Sequence, residues 1–286
     1  MGKKSRRRAN RKPKRQEPPF VARPFAQLAG EVELIAMREL LPAALMPLPM
    51  AGQWADLQVI AVTMLPQVWP ALRREDGTIL VAMQAATRSG DASRDVAHAI
   101  EQAAMLPPGQ PLPHLELPEV GVRLQDMVAT DAEVSLEICD NFDFWIDPTT
   151  PRDAKIEAAL EETATQIVPS ADIAGVRGAY WCRMGREYLR WVRTEDEYEL
   201  LDALARLHVA GESALEPGTR LIGFFRSCGL LVPVWELVAG TEADELQQAC
   251  AAFAQRLEVA LNETTPLSAQ ERSARQGLIS REVTLR

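Results

Sequence analysis

"AYWCRMGREYLRWVRTEDEYELLDALARLHVAGESALEPGTRLIGFFRSCGLLVPVWEL", residues 179–237, reads as two β-hairpins with one helix between them. Aromatic and β-branched residues run on either side of Gly185 in the first hairpin and of Gly229 in the second, and glycine suits a tight turn at both places. Between them Thr194 and Glu197 open a helix whose stripe is Tyr198, Leu201, Leu204 and Leu207. Hairpins separated by helices pair antiparallel, so the predicted class is α+β rather than a doubly wound parallel sheet.

The same punctuation extends in both directions. Thr241 and Asp244 open a downstream helix with an apolar stripe at Leu246, Ala249, Cys250, Phe253, Leu257 and Leu261. A polar C-terminal helix or tail follows Pro266. Upstream, Thr150 with Asp153, and Pro151 at the first helical position, open a helix whose core stripe is Ile156, Ala159, Leu160, Thr163 and Ile167. Before it, "VSLEICDNFDFWI" predicts a hairpin turning at Asp140 and Asn141. Five prolines between 107 and 118 predict a stiff extended connector.

"SRDVAHAIEQAAMLPPG" predicts a helix capped by Ser93, with Val96, Ile100 and Ala103 on one face. "DLQVIAVTMLPQVWPALRREDGTILVAMQ" predicts three strands, the last two joined at Asp76 and Gly77; Pro66 and Pro70 put the middle strand on an edge or break it. "GEVELIAMRELLP" predicts a helix with Val32, Ile35, Ala36 and Leu40 on its apolar face, stopped by Pro42.

Four segments result: a basic arm at 1–19, expected to be disordered, α+β modules at 20–150 and 151–265, and the C-terminal helix or tail at 266–286. "ELLPAA" at 39–44 and "QIVPSA" at 166–171 both end a helix on two apolar residues, proline, a small residue and alanine. The sequence leaves open whether the modules are duplicates or halves of one larger domain.

Charge divides the chain more sharply than composition does. Nine cations, Lys3, Lys4, Arg6, Arg7, Arg8, Arg11, Lys12, Lys14 and Arg15, precede the first acid. The whole chain has 31 basic residues; without these nine, 22 remain against 40 acidic ones. A body of that sign repels phosphate backbones and anionic membranes, whereas the arm attracts both. The arm's candidate partners are therefore RNA, DNA or an anionic membrane surface, set against the plainer reading of a solubilising tail.

The four cysteines, Cys139, Cys182, Cys228 and Cys250, show no ligand spacing and fit buried apolar positions in a reducing compartment. The most apolar run, at 40–52, is too short to span a bilayer and holds three prolines; the basic start continues into "QEPPFVARPF" rather than an apolar stretch, so a cytoplasmic location is expected.

Catalytic signatures are sparse. "GVRG" at 175–178 precedes a strand and reads as a turn, not a phosphate cradle, and Ser227 beside Cys228 fits a hairpin turn better than a nucleophile elbow. His98, His114 and His208 lie in separate elements without metal-ligand spacing, so neither metal nor cofactor is expected. Asp140, Asp143 and Asp147 do not follow a calcium-loop pattern and read as one charged hairpin face, while Asp140 and Asp143 are the carboxylates an unrecognised enzyme would use. Phe142, Phe144 and Trp145 at that turn are candidates for an exposed recognition surface. Arg186, Tyr188 and Arg190 share a face by alternation, which suits single-stranded RNA or, more plainly, a wet basic sheet face.

"PFVARPF" at 19–25, "MRELLPAA" at 37–44, "GLLVPVW" at 229–235 and the ending "VTLR" together resemble an uncharacterised actinobacterial family, a domain of unknown function. The resemblance implies a bacterial cytoplasmic protein and brings no catalytic residue with it. The element order of the first half is also similar to that of small α+β chaperones of bacterial secretion systems, an analogy of order alone. The preferred expectation is a non-enzymatic adaptor whose body binds a protein or peptide while its arm holds a polyanion. The alternative is an enzyme with a carboxylate site.

Overall fold

The computed structural model describes residues 16–63, 69–84, 88–165 and 167–281. Two sheets and six helices make up this part of the chain, an α+β architecture. The basic arm from Lys3 to Arg15, Pro66 and the "VTLR" ending lie outside the described residues.

The first sheet holds β1 (Ala44–Leu48), β2 (Val59–Val62), β3 (Ala71–Arg73), β4 (Ile79–Ala82), β5 (Gln110–Leu112) and β6 (Glu137–Ile138), in the order β5-β3-β4-β2-β1-β6. The Asp76–Gly77 turn joins β3 to β4 antiparallel as the sequence predicts, but β2 pairs with β4 in parallel, so this sheet is mixed. The middle strand is not an edge, because β5, drawn from the proline-rich connector, covers its other side. Pro70 precedes β3 and so costs the ladder no donor.

No strand is predicted at β1, whose Ala, Leu, Met and Pro content lacks β-branched residues. Thr63 N–H donates to the Ala44 carbonyl at 3.0 Å. By alternation the position of Pro47 then faces the β6 side, where β6 reaches only Ala44 and Leu45, so the missing N–H is not needed.

The second sheet is wholly antiparallel: β7 (Ser170–Ile173), β8 (Val176–Arg183), β9 (Glu187–Trp191), β10 (Arg220–Ser227) and β11 (Leu230–Glu236), ordered β10-β11-β9-β8-β7. Helices α4 (Glu197–Val209), α5 (Gln247–Leu261) and α6 (Ala269–Ile279) belong to this half. Its core is aromatic. The rings of Trp235 and Phe253 meet edge to face at 5.0 Å, with Trp191 6.3 Å from Trp235. The indole N–H groups of Trp181, Trp191 and Trp235 donate to the carbonyls of Thr241, Arg177 and Ser213, so three large rings are buried without an unmet donor.

A larger core joins the two sheets. Val32 and Ile35 of α1 (Glu31–Glu39) and Ile100 of α2 (Ala92–Ala104) pack in one cluster with Tyr180, Val192, Leu230 and Val232 from the second sheet. A third cluster covers the other face of the first sheet. The sheets differ in strand order and in the direction of pairing, which gives duplication of the modules no support.

Helix starts are displaced toward carboxylates. Asp91 caps α2, Asp153 caps α3 (Ala154–Ala164) and Asp196 caps α4, while Ser93, Thr150 and Thr194 do not fill those positions. A carboxylate satisfies the same free N–H groups and adds its charge to the positive end of the helix dipole. Glu242, not Thr241, precedes the short 3-10 turn leading into α5. Ser93 is instead buried, its hydroxyl donating to Gln125 Oε1 at 2.6 Å and accepting from Leu124 N–H.

Two predicted stripes need correction. No residue of α3 is buried, so Ile156 and Leu160 are at most half-covered, and Tyr198 of α4 is 66% exposed while Leu201, Leu204 and Leu207 are buried. Tyr198 takes the guanidinium of Arg275 over its ring at 5.4 Å instead, because α6 folds back on α4. Within the segment after Pro266, Ala269–Ile279 is therefore a packed helix, with Leu278 buried.

Candidate functional site

The two sheets meet edge to edge. β6 ends the first sheet and β7 ends the second, their Cα atoms come within 8 Å, and no hydrogen bond joins them among the described residues. Beside this seam opens a cleft of about 470 Å³, walled by Val134, Leu136 and Ile138 on one side and by the β7–β8 hairpin on the other, with Glu33 of α1 beside them.

Backbone register fixes which polar groups face this seam. Cys139 N–H donates to the Ala43 carbonyl, and Arg183 N–H donates to the Pro169 carbonyl. Alternation along each strand then turns the backbone groups of Ile138 away from β1, and those of Ser170 and Asp172 away from β8. Residues 133–138 alternate exposed Glu133, Ser135 and Glu137 with half-buried Val134, Leu136 and Ile138, the two-residue period of extended chain.

The charge of the cleft is set by four side chains. Arg177 grips Glu33 through two hydrogen bonds of 2.8 Å and also reaches the Ala29 carbonyl. Asp172 is exposed and stands opposite Tyr180 in the β7–β8 register. Tyr180 is 3% exposed and lines the cleft. Burial raises its pKa, and the charges of Glu33 and Asp172 raise it further against the opposing pull of Arg177. The lining thus carries two carboxylates, Glu33 and Asp172, against one guanidinium, Arg177.

Gly178 brings α1 this close. Its φ is +80°, and a Cβ there would lie 2.8 Å from the Val192 carbonyl oxygen and 2.9 Å from Val32 Cγ1. In "GVRG" the two glycines thus serve geometry: Gly175 turns the hairpin and Gly178 lets strand and helix touch. Neither Tyr180 nor Asp172 was singled out from sequence. The available signal was the pair of glycines bracketing a strand start, which marks close approach.

A second cleft, of about 270 Å³, forms where "PFVARPF" crosses the "SCG" turn. Ala22 and Gly229 touch there so closely that a Cβ on Gly229 would lie 2.7 Å from the Ala22 carbonyl oxygen, and Arg38 of "MRELLPAA" lines the same cleft. Segments that carry the resemblance are thus neighbours in space.

The other sequence candidates separate. Phe142, Phe144 and Trp145 are buried, at 5%, 7% and 6% exposure, and Trp145 Nε1 donates to the Thr63 carbonyl. No hairpin forms there: β6 pairs with β1, and the three rings cover the second face of the first sheet. That face is otherwise apolar, and burying three rings outweighs leaving them at a wet turn. Asp140 is exposed, Asp143 pairs with Arg152 at 3.2 Å, and Asp147 accepts from Thr149 and Glu75 N–H groups. These carboxylates serve turns and do not converge.

Arg186, Tyr188 and Arg190 form no continuous basic face. Arg186 pairs with Glu236, Tyr188 is half-buried, and Arg190 is 5% exposed with Nε and Nη2 lacking partners. Burial lowers the pKa of Arg190. His114 is exposed, His98 lies near Glu101 and His208 near Ser213. All four cysteines are free; Cys182 and Cys250 are buried, Cys139 and Cys228 half-buried, and burial pushes the Cys250 thiol up to about 12. Among the described residues no group of three His, Cys, Asp or Glu side chains could hold a metal ion, and no helix is long and apolar enough to cross a membrane.

The chain belongs to a family of unknown function, DUF5926, whose model matches residues 24–286. The matched span begins at Pro24, after the basic arm and most of "PFVARPF". No curated protein and no solved structure matches the chain.

Proposed function

We propose that the protein is a non-enzymatic binding or adaptor protein of the cytoplasm. Its acidic body holds a protein or peptide partner, and its basic arm, from Lys3 to Arg15, contacts a polyanion. The observation that supports this reading is the division of charge. In the body, arginines are spent on neighbouring acids: Arg23 on Glu31, Arg94 on Glu101, Arg123 on Asp91, Arg177 on Glu33 and Arg226 on Glu197. Each pair of this kind withdraws a cation from outside partners. The arm's nine cations all precede the first acid, Glu17.

Deleting residues 2–15 and titrating labelled RNA and anionic vesicles across a salt series tests the reading. With the arm, log affinity should fall with log salt at a slope approaching about −8 if every cation meets a phosphate. Without it, binding should vanish. Equal binding by the truncated protein would overturn the tether.

A further inference from the structure

Resting on the reading of the arm as a polyanion contact, we infer that the body holds the near half of that arm. Arg11, Lys12, Lys14 and Arg15 dock along residues 114–120, beside Glu116 and Glu119, and Lys3, Lys4, Arg6, Arg7 and Arg8 are left for the polyanion.

The course of the chain at the root of the arm carries this assignment. Val120 N–H donates to the Gln16 carbonyl at 3.1 Å. Further along, the side chains of Arg123 and Gln125 both donate to the Pro24 carbonyl, at 3.0 and 2.7 Å. Residues 16–24 therefore run beside 120–125 in the same sense, with the Gln16 end fastened. Followed back past Gln16, that course leads along residues 119 to 114. These continue from β5, the outer strand of the first sheet. Leu115 and Pro118 are buried and seat the segment on the body, whereas Glu116, Leu117, Glu119 and Val120 are exposed.

Reach and charge agree with that course. Arg15 is bonded to Gln16, so their Cα atoms lie about 3.8 Å apart, and Arg11 to Arg15 spans at most ~17 Å, the length of five residues laid alongside. Four cations fall within that span, opposite the two glutamates. Neighbouring cations of the body are already engaged, Arg94 by Glu101 and Arg123 by Asp91. Continued further, the course passes residues 107–113, "PPGQPLP", which hold no carboxylate of their own, and this divides the arm into near and far cations. Single exposed ion pairs are weak, but so short a tether keeps the local concentration in about the millimolar range, so docking needs no strong contact. A phosphate has to displace the near cations from Glu116 and Glu119 before it can use them.

Carbodiimide coupling of the full chain at low salt, which condenses a lysine amine with a carboxylate in contact with it, reads the dock directly. Peptide mapping should find Lys12 or Lys14 joined to Glu116 or Glu119. Duplex DNA titrated across a salt series then reads how many cations are available. The native chain should give a log–log slope of about −4.5, for five cations, and the Glu116→Gln/Glu119→Gln chain a slope of about −8, for nine. Both glutamates are exposed, so neither substitution touches the core. Glu199→Gln/Glu258→Gln changes net charge equally at exposed positions of α4 and α5 and should keep the native slope.

Couplings of Lys12 and Lys14 that are absent, or scattered over other acids, would overturn the dock. A native slope of about −8 beside the expected couplings would overturn the withholding of the near cations. A chain that binds no DNA would strike the arm's polyanion role and leave the dock to be decided by the couplings alone.

Discussion

The second sheet is built almost entirely from neighbours in sequence, whereas the first is built from strangers. β7, β8 and β9 follow one another and β10 turns directly into β11, so only the β9–β11 contact crosses a helix. In the first sheet β2 reaches β4 in parallel, β3 takes β5 from beyond α2, and β1 pairs with a strand some ninety residues later. Turn chemistry specifies the former; only packing selects the latter. The core clusters show the corresponding split, with an aromatic core under the hairpins and an aliphatic one that bonds the two sheets together.

The largest way to break this comparison is to empty the aromatic core. Trp235→Ala should cost about 3–5 kcal/mol, since Trp235 has no exposed surface, meets Phe253 edge to face and donates to the Ser213 carbonyl. Because Val32 packs in one cluster with Tyr180 and Val232, denaturant unfolding should remain one transition that releases amides of both sheets together. Hydrogen exchange that speeds up only in β7–β11 would show that the sheets unfold separately.

A smaller effect sharpens the point about the seam. Gly178 and Gly185 have nearly the same φ, +80° and +75°, but a Cβ meets Val192 and Val32 at the first and nothing within 4 Å at the second. Gly178→Ala should therefore lose about 3 kcal/mol and Gly185→Ala about 1 kcal/mol in thermal or chemical denaturation. Equal losses would mean that backbone conformation, not the contact between α1 and β8, sets the cost.

The smallest pair concerns two arginines of the body, one half-buried and one buried. Arg123→Met strands the Asp91 carboxylate, 3% exposed, that Arg123 holds at 2.6 Å, and should destabilise by about 2 kcal/mol. Arg190→Met removes a desolvated guanidinium with unmet donors and should be neutral or slightly stabilising. A loss above about 2 kcal/mol at Arg190 would reveal a counter-ion in the folded protein.

The sites were less legible than the elements, for a related reason. Phe142, Phe144 and Trp145 announce themselves as aromatic, but whether aromatics at a bend face water depends on whether a bare sheet face lies within reach, and one does. Arg190 on β9 shares its parity with Arg186 in the turn before it, yet the sheet is covered at one residue and open at the other. Tyr180 and Asp172 carry no motif at all; they line one cleft only because two sheet edges arrive beside each other.

By itself the sequence determined the class, the helices, the hairpins at Gly185 and Gly229, and the segregation of nine cations at one end, because these follow from residues a few positions apart: periodicity, turn residues, runs of like charge. Tertiary structure alone decided the parallel β2–β4 pair, the burial of the aromatic turn, the aspartate caps over the expected threonines and the acidic seam between β6 and β7. Those outcomes depend on competition for buried surface among segments far apart in the chain, and no local pattern records who wins it.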